Sequence, residues 1–166
     1  MSQTDKLWLT TGETTRRTYS EPTLLPGGLV VDDRGTVVFV NEFDPAEHGI
    51  RRCYTVSNHA VGYVRAWHYH RFEGKYVMAI SGSAIVAAVK IDDWEKPSAQ
   101  APVSRFVLSD RTPGVLAIPP GYANGFKTLE PGTRLLFMST ATLEESRADD
   151  IRYPARHWNI WDVEER

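Results

Sequence analysis

His68 and His70 stand two residues apart in the stretch from Gly62 to Gly82, inside the apolar, aromatic run YVRAWHYH. Residues i and i+2 of a strand project from the same face, so the two imidazoles are expected side by side. A neutral imidazole titrates near pH 6.5 and can take and return a proton at neutral pH. With Arg65 and Lys75 close by, such a pair could abstract a proton next to a carbonyl and hold the resulting enolate by charge. Strict alternation puts Arg65 on the face opposite His68 and His70. A bulge or a strand end must re-aim it before all three can serve one pocket.

Two other chemistries compete for these residues. A pair of histidines at i, i+2 can ligate one metal. The residues around it follow a metal-binding spacing in part, with Gly62, His68, His70, Pro119 and Gly121 in place. Glu73 arrives one residue early for a ligand, and Asn124 stands where a third histidine would be. The amide oxygen of Asn is a poor ligand for zinc or iron, so the reading calls for no metal and no cofactor. An anion site is the other alternative. Arg34, Arg51, Arg52, Arg65 and Lys75 could converge on a phosphate, for which arginine is well shaped. Nucleophile elbows, dinucleotide fingerprints and phosphate-binding loops are absent.

The elements that must position these groups read as strands. GLVV and TVVFVNEF flank the turn Asp32-Asp33-Arg34-Gly35 as a hairpin. Further strands are expected at 50–56, 63–70, 75–80, 84–91, 105–110, 115–120 and 133–140. The stretch Gly114 to Phe126 (GVLAIPPGYANGF) reads as the partner of the histidine stretch. Leu25-Pro26-Gly27-Gly28 reads as a turn. One short helix is expected from Thr142 to Asp150, and the aromatic end Trp158-Asn159-Ile160-Trp161 should dock on the body. Short strands at regular spacing predict an all-β fold, a jelly-roll sandwich closing into a small barrel with His68 and His70 inward. Residues 1–25 read as an N-terminal arm and 26–166 as one domain.

Composition sets bounds. At 166 residues the chain can bury a real core, and 42% hydrophobic with 24% charged residues is ordinary for a soluble domain. A net charge of −2 argues against a nucleic-acid surface. No apolar run has a membrane span's length, and no secretory signal is visible, so a cytoplasmic location is expected. The single cysteine, Cys53, excludes an intrachain disulfide and reads as a buried structural thiol.

These residues resemble a known family. D-x-R-G at 32–35, Asn58-His59, G-x-x-R-x-x-H-x-H at 62–70, Lys75 and IPPGYANGF at 118–126 look like the dTDP-4-dehydrorhamnose 3,5-epimerase family of cupins. The related dTDP-sugar 3,4-ketoisomerases, the WxcM-like group, are also close. The resemblance spans about residues 28–155. It implies a cupin that moves protons beside the ketone of a nucleotide-linked 4-keto-6-deoxyhexose. His68 falls on the catalytic base, with His70 and Lys75 completing the catalytic set. Arg34, Asn58, Arg65, Tyr122 and Asn124 fall on substrate-binding positions, Arg34 on a nucleotide-diphosphate contact often donated by the neighbouring subunit. A homodimer with exchanged N-terminal strands is implied. Epimerisation is the first expectation, 3,4-ketoisomerisation the alternative, and a non-catalytic sugar-binding cupin the third. The departures are His70 where the epimerases carry Gln, Asn124 where they carry His, and Phe137 where their catalytic tyrosine falls. The motif fixes no counterpart of the aspartate that backs the histidine, although Asp149 and Asp150 lie near it.

Overall fold

The computed structural model of the protein describes residues 16–165. Its strands are β1 (Thr23–Pro26), β2 (Gly28–Asp32), β3 (Gly35–Phe39), β4 (Arg52–Ser57), β5 (Val64–Tyr69), β6 (Lys75–Ser81), β7 (Ser83–Lys90), β8 (Val103–Ser109), β9 (Gly114–Ile118), β10 (Tyr122–Thr128), β11 (Arg134–Ser139) and β12 (Ile151–Arg152). Among the described residues the one helix, α1, is Leu143–Ala148. One sheet runs β1-β9-β6-β11-β4, the other β12-β5-β10-β7-β8, and β2-β3 stand apart as a hairpin. Every pairing is antiparallel. This is the jelly-roll cupin architecture expected from the sequence.

Three apolar layers explain it. Between the sheets, Val77, Leu116, Leu135 and Phe137 of one meet Val86, Ala88 and Phe126 of the other. Outside the first sheet, Leu25, Tyr76, Val115 and Met138 form a second cluster. Outside the other, Trp67, Tyr69, Ile85, Ala87 and Val89 pack against Trp158 and Trp161. The β7 strand is therefore buried on both faces, as its unbroken apolar sequence requires.

The aromatic end docks as expected. Trp67 is fully buried, with the Trp158 ring edge-on at 5.3 Å and Trp161 at 5.0 Å. Trp158 Nε1 donates to Ser98 O and Trp161 Nε1 to Ala155 O, each at 2.8 Å. Burying a large aromatic contributes about 2–3 kcal/mol, enough to hold the segment between α1 and the C-terminus against the sheet. That segment carries β12 into register with β5, Arg152 opposite His68.

The helix begins where a capping box dictates. Thr142 accepts from Glu145 N, and the Glu145 carboxylate accepts from Thr142 N. Two elements differ from the sequence reading. Residues 23–26, taken as arm and turn, form β1, because Leu25 fills the outer cluster and the strand completes the sheet beside β9. Cys53 is exposed rather than buried. On β4 the inward positions are Arg52, Tyr54 and Val56, which turns Cys53 to the outer side of that edge strand. Of the predicted N-terminal arm, residues 1–15 lie outside the described residues.

Candidate active site

The register between β5 and β10 decides which residues meet. Asn124 pairs with His68, but Phe126 pairs with Arg65. Two residues of β5, Ala66 and Trp67, thus face the single residue Gly125. Both pack into the outer cluster, which returns Arg65 and His68 to the same inner face. Of the two devices that could re-aim Arg65, a bulge or a strand end, the structure has the bulge. Gly125 is what permits it, since a Cβ there would lie 2.3 Å from Ala66 Cβ and 2.9 Å from Arg65 O.

The resulting cavity lies between the sheets and holds about 170 Å³. His68, Arg65 and Asn124 line it from one sheet, Tyr54, Lys75 and Phe137 from the other. Clefts of about 660 Å³ beside the C-terminal segment and 490 Å³ beside α1 are larger, but neither contains His68 or Lys75. Chemistry rather than size selects the site.

His68 Nδ1 lies 3.4 Å from Asp150 Oδ1. The other Asp150 oxygen accepts from Arg152 Nε at 2.9 Å and Nη2 at 2.8 Å. Burial, and next the positive charge of Lys75, push the His68 pKa below 6.5, with Asp150 opposing. The imidazole is therefore neutral at pH 7 and ready to accept a proton. Burial would raise the Asp150 pKa, but the Arg152 hydrogen bonds and His68 outweigh it, so Asp150 stays ionised. Its neighbour Asp149 serves structure. It accepts from Arg71 N at 2.7 Å, Phe72 N at 3.0 Å and Arg71 Nε at 2.9 Å, pinning the loop after His70.

Lys75 is buried, and that burial lowers its pKa against the pull of Glu73 and Asp150. Opposite His68, Tyr54 stacks on Phe137 with centroids 5.5 Å apart, and the Arg52 guanidinium lies 4.9 Å from the Tyr54 ring. Burial, then the charge of Glu73, push the Tyr54 phenol up to about 12. It stays protonated near neutrality and can donate. Asn124 Nδ2 donates to the backbone oxygen of His68 at 3.1 Å, fixing the amide at the cavity wall. Among the described residues no group of three or more His, Cys, Asp or Glu is placed to hold a metal ion.

A model of the dTDP-4-dehydrorhamnose 3,5-epimerase family matches residues 24–164. The chain belongs to that family. No curated protein matches it in sequence. Among solved structures, the dTDP-4-dehydrorhamnose 3,5-epimerase of Sulfolobus tokodaii is 21% identical, with a TM-score of 0.67, covering 92% of this chain and 85% of its own. The RmlC epimerase of Legionella pneumophila Philadelphia 1, solved with dTDP-4-keto-L-rhamnose, is 19% identical over 87% and 80%, TM-score 0.66. The sugar 3,4-ketoisomerase QdtA of Thermoanaerobacterium thermosaccharolyticum, solved with TDP, is 18% identical over 84% and 93%, TM-score 0.62. At these identities the structures establish the fold, which epimerases and ketoisomerases share.

Within this family fold, the predicted site residues divide. His68, Lys75, Arg65 and Asn124 come together in the cavity. His70 is buried behind it, Nδ1 at 3.2 Å from Glu73 Oε2. Asn58 has its amide engaged inside the protein. Its Oδ1 accepts from Arg65 Nε at 2.8 Å, and its Nδ2 donates to Tyr63 O at 2.8 Å and Thr128 Oγ1 at 3.3 Å. Tyr122 does not line the cavity, and its hydroxyl donates to Ser20 O at 3.3 Å. Arg34 sits at the tip of the β2-β3 hairpin, its side chain 85% exposed and paired with Asp32. The five cations do not converge on one anion. Arg51 pairs with Glu145 and Arg52 with Glu73, leaving Arg65 and Lys75 at the cavity. Sequence reasoning passed over Tyr54, although the alternation of Arg52, Tyr54 and Val56 along β4 marked it as inward.

Proposed function

We propose that this protein moves a proton beside the ketone of a dTDP-4-keto-6-deoxyhexose, with epimerisation next to the carbonyl as the reaction. The observation that carries the reading is a neutral, carboxylate-backed imidazole and a protonated phenol on opposite walls of one small cavity. Inversion of a carbon needs a base on one face of the sugar ring and an acid on the other. His68 takes the proton from the carbon next to the ketone. The electron pair moves onto the carbonyl oxygen, where Arg65 and Lys75 stabilise the enolate charge. Tyr54 gives its hydroxyl proton to the opposite face of the same carbon. Net proton count is conserved, and the two residues reset through solvent. Asn58 acts here by holding Arg65, and Asn124 offers its amide to a sugar hydroxyl or the ketone.

A cavity of about 170 Å³ suits the hexose and not the nucleotide. The diphosphate lies at the mouth in this reading, and the chain pairs with a second copy to complete it. The β2-β3 hairpin exposes Leu29, Val30, Val31, Val37, Val38 and Phe39 away from both sheets, which fits exchange of these strands in a homodimer. Arg34 at its tip then reaches the partner's diphosphate.

Ketoisomerisation is the second reading, favoured by the His68–His70 pair and by Phe137. Proton NMR of dTDP-4-keto-6-deoxyglucose incubated with the protein in D2O separates the readings. Epimerisation gives exchange at C3 with an inverted ring stereocentre, and ketoisomerisation moves the ketone to C3. Absence of any exchange would leave the non-catalytic sugar-binding cupin.

A further inference from the structure

Asp149 and Asp150 are neighbours held in opposite ways. Asp149 accepts three N–H groups, two of them from the backbone after His70. Asp150 has no backbone donor among the described residues. Its Oδ2 accepts from Arg152 Nε at 2.9 Å and Nη2 at 2.8 Å, and its Oδ1 lies 3.4 Å from His68 Nδ1. Apart from His68, Arg152 is thus the one described residue that bonds the Asp150 carboxylate. A carboxylate bound by backbone donors is fixed by the fold. One without them takes the orientation that its side-chain partners impose.

That orientation decides which imidazole nitrogen is the base. An ionised carboxylate only accepts hydrogen bonds. A neutral His68 can therefore meet Asp150 only with its proton on Nδ1, which leaves Nε2 bare. His68 lines the reaction cavity and Asp150 does not, so Nδ1 points to the rear and Nε2 to the sugar. Nε2 bonds to no described residue. The other charged groups about the ring are Lys75 of β6 and Arg65 of β5, both on the cavity side, while β10 contributes the neutral Asn124 and β4 the protonated Tyr54. None of them bonds Nδ1.

We propose that Arg152 is a positioning residue for the catalytic base. By gripping Asp150 Oδ2 with two N–H groups, it turns Oδ1 to His68 and keeps the imidazole in the form with Nδ1 protonated and Nε2 bare. The pairing of β12 with β5 puts it in place, with Ile151 opposite Tyr69 and Arg152 opposite His68. The Arg152 side chain is 68% exposed, and an exposed ion pair adds little to stability. What it contributes is orientation. Two donors on one edge of a planar guanidinium fix an angle that a single ammonium leaves free. The inference rests on the proton-transfer function proposed above, but its test does not depend on turnover.

In the full-length protein labelled with 15N-histidine, the 15N shifts of the ring nitrogens distinguish N–H from bare N without substrate. Wild-type His68 should show Nδ1 protonated and Nε2 bare near neutrality; the reverse pattern would overturn the proposal before any variant is made. Arg152→Met should turn His68 into a mixture of both tautomers, the share with Nδ1 protonated falling by roughly twofold or more. Arg152→Lys, which returns one donor to Oδ2, should recover part of that share. With Asp150→Ala already in place, Arg152→Met should add nothing, because Arg152 acts through Asp150. A wild-type tautomer ratio in Arg152→Met, or a further change on top of Asp150→Ala, would overturn the proposal. Arg152→Ala decides in the same way if the Met variant does not fold. In turnover, Arg152→Met should lower kcat for exchange at C3 on the order of tenfold with KM little changed. Wild-type protein that turned over no 4-keto sugar would refute the proposed function, leaving the ring-nitrogen spectrum to judge Arg152.

Discussion

Replacing Tyr54 with phenylalanine removes one oxygen atom from the cavity and little else. The ring still stacks on Phe137, and Arg52 still covers its face. The lost hydroxyl makes no hydrogen bond to a described residue, so no partner is orphaned and stability should change by less than about 0.5 kcal/mol. Catalysis should change far more. A positioned general acid contributes about 10²–10⁴ in rate, or roughly 3–5 kcal/mol of barrier. The assay separates the two half-reactions on dTDP-4-keto-6-deoxyglucose in D2O. Proton loss to His68 is read as washout of the C3 proton in recovered substrate, and reprotonation on the far face as inverted product. Tyr54→Phe should keep washout near the wild-type rate while inversion falls by about two orders of magnitude or more. Inversion at the wild-type rate would refute the two-wall mechanism. Loss of washout and inversion together would place Tyr54 in binding rather than in proton delivery.

The pH profile tests the electrostatics of His68. Because its pKa lies below 6.5, kcat/KM should be flat around neutrality and fall only as acid protonates the imidazole. Lys75→Met removes a positive neighbour and should move that acid limb up in pH, whereas Asp150→Asn removes a negative one and should move it down; limbs that stay put would exclude His68 as the titrating base. If the chain pairs as proposed, mixing the inactive Arg34→Ala and His68→Ala variants should restore activity to about a quarter of wild type, since each mixed dimer then has one intact site with Arg34 acting across the interface. No recovery after subunit exchange, shown to have occurred by the mixed dimer's intermediate mass in native mass spectrometry, would place Arg34 outside the partner's site. Gly125→Ala forces a Cβ onto Ala66 and should cost about 1–3 kcal/mol, lowering Tm by roughly 2–10 °C in a thermal scan. An unchanged Tm would mean that the bulge has room that the geometry denies.

Much of the fold was legible because its signals are local. The β2-β3 hairpin follows from an Asp/Gly turn between β-branched runs, and α1 from the Thr142–Glu145 box. What was not legible depends on distant partners. Leu25 reads as part of a turn until β9 lies beside it. Tyr54 is unremarkable in sequence, and it matters through Phe137, 83 residues away. The same holds for Asp150. Nothing in its own neighbourhood distinguishes it from Asp149, and the division of labour between them arises only when β12 pairs with β5.

The candidate site turns on one irregularity whose need could be read in the sequence but not its place. Arg65 and His68 are three apart, and an even strand would send them to opposite faces. Two outward residues in succession solve this, and Ala66-Trp67 supply them at no loss of packing, since Trp67 is the centre of the outer cluster. The cost falls on β10, whose backbone must approach Ala66 closely enough that only glycine fits at 125. Asn124, one residue earlier, then holds the His68 carbonyl at the point where register resumes. The N-G-F segment and the R-x-x-H segment are therefore one device split across two strands. Gly125 lets Arg65 join His68, and the C-terminal tryptophans clamp the bulge from outside while carrying Asp150 to the imidazole.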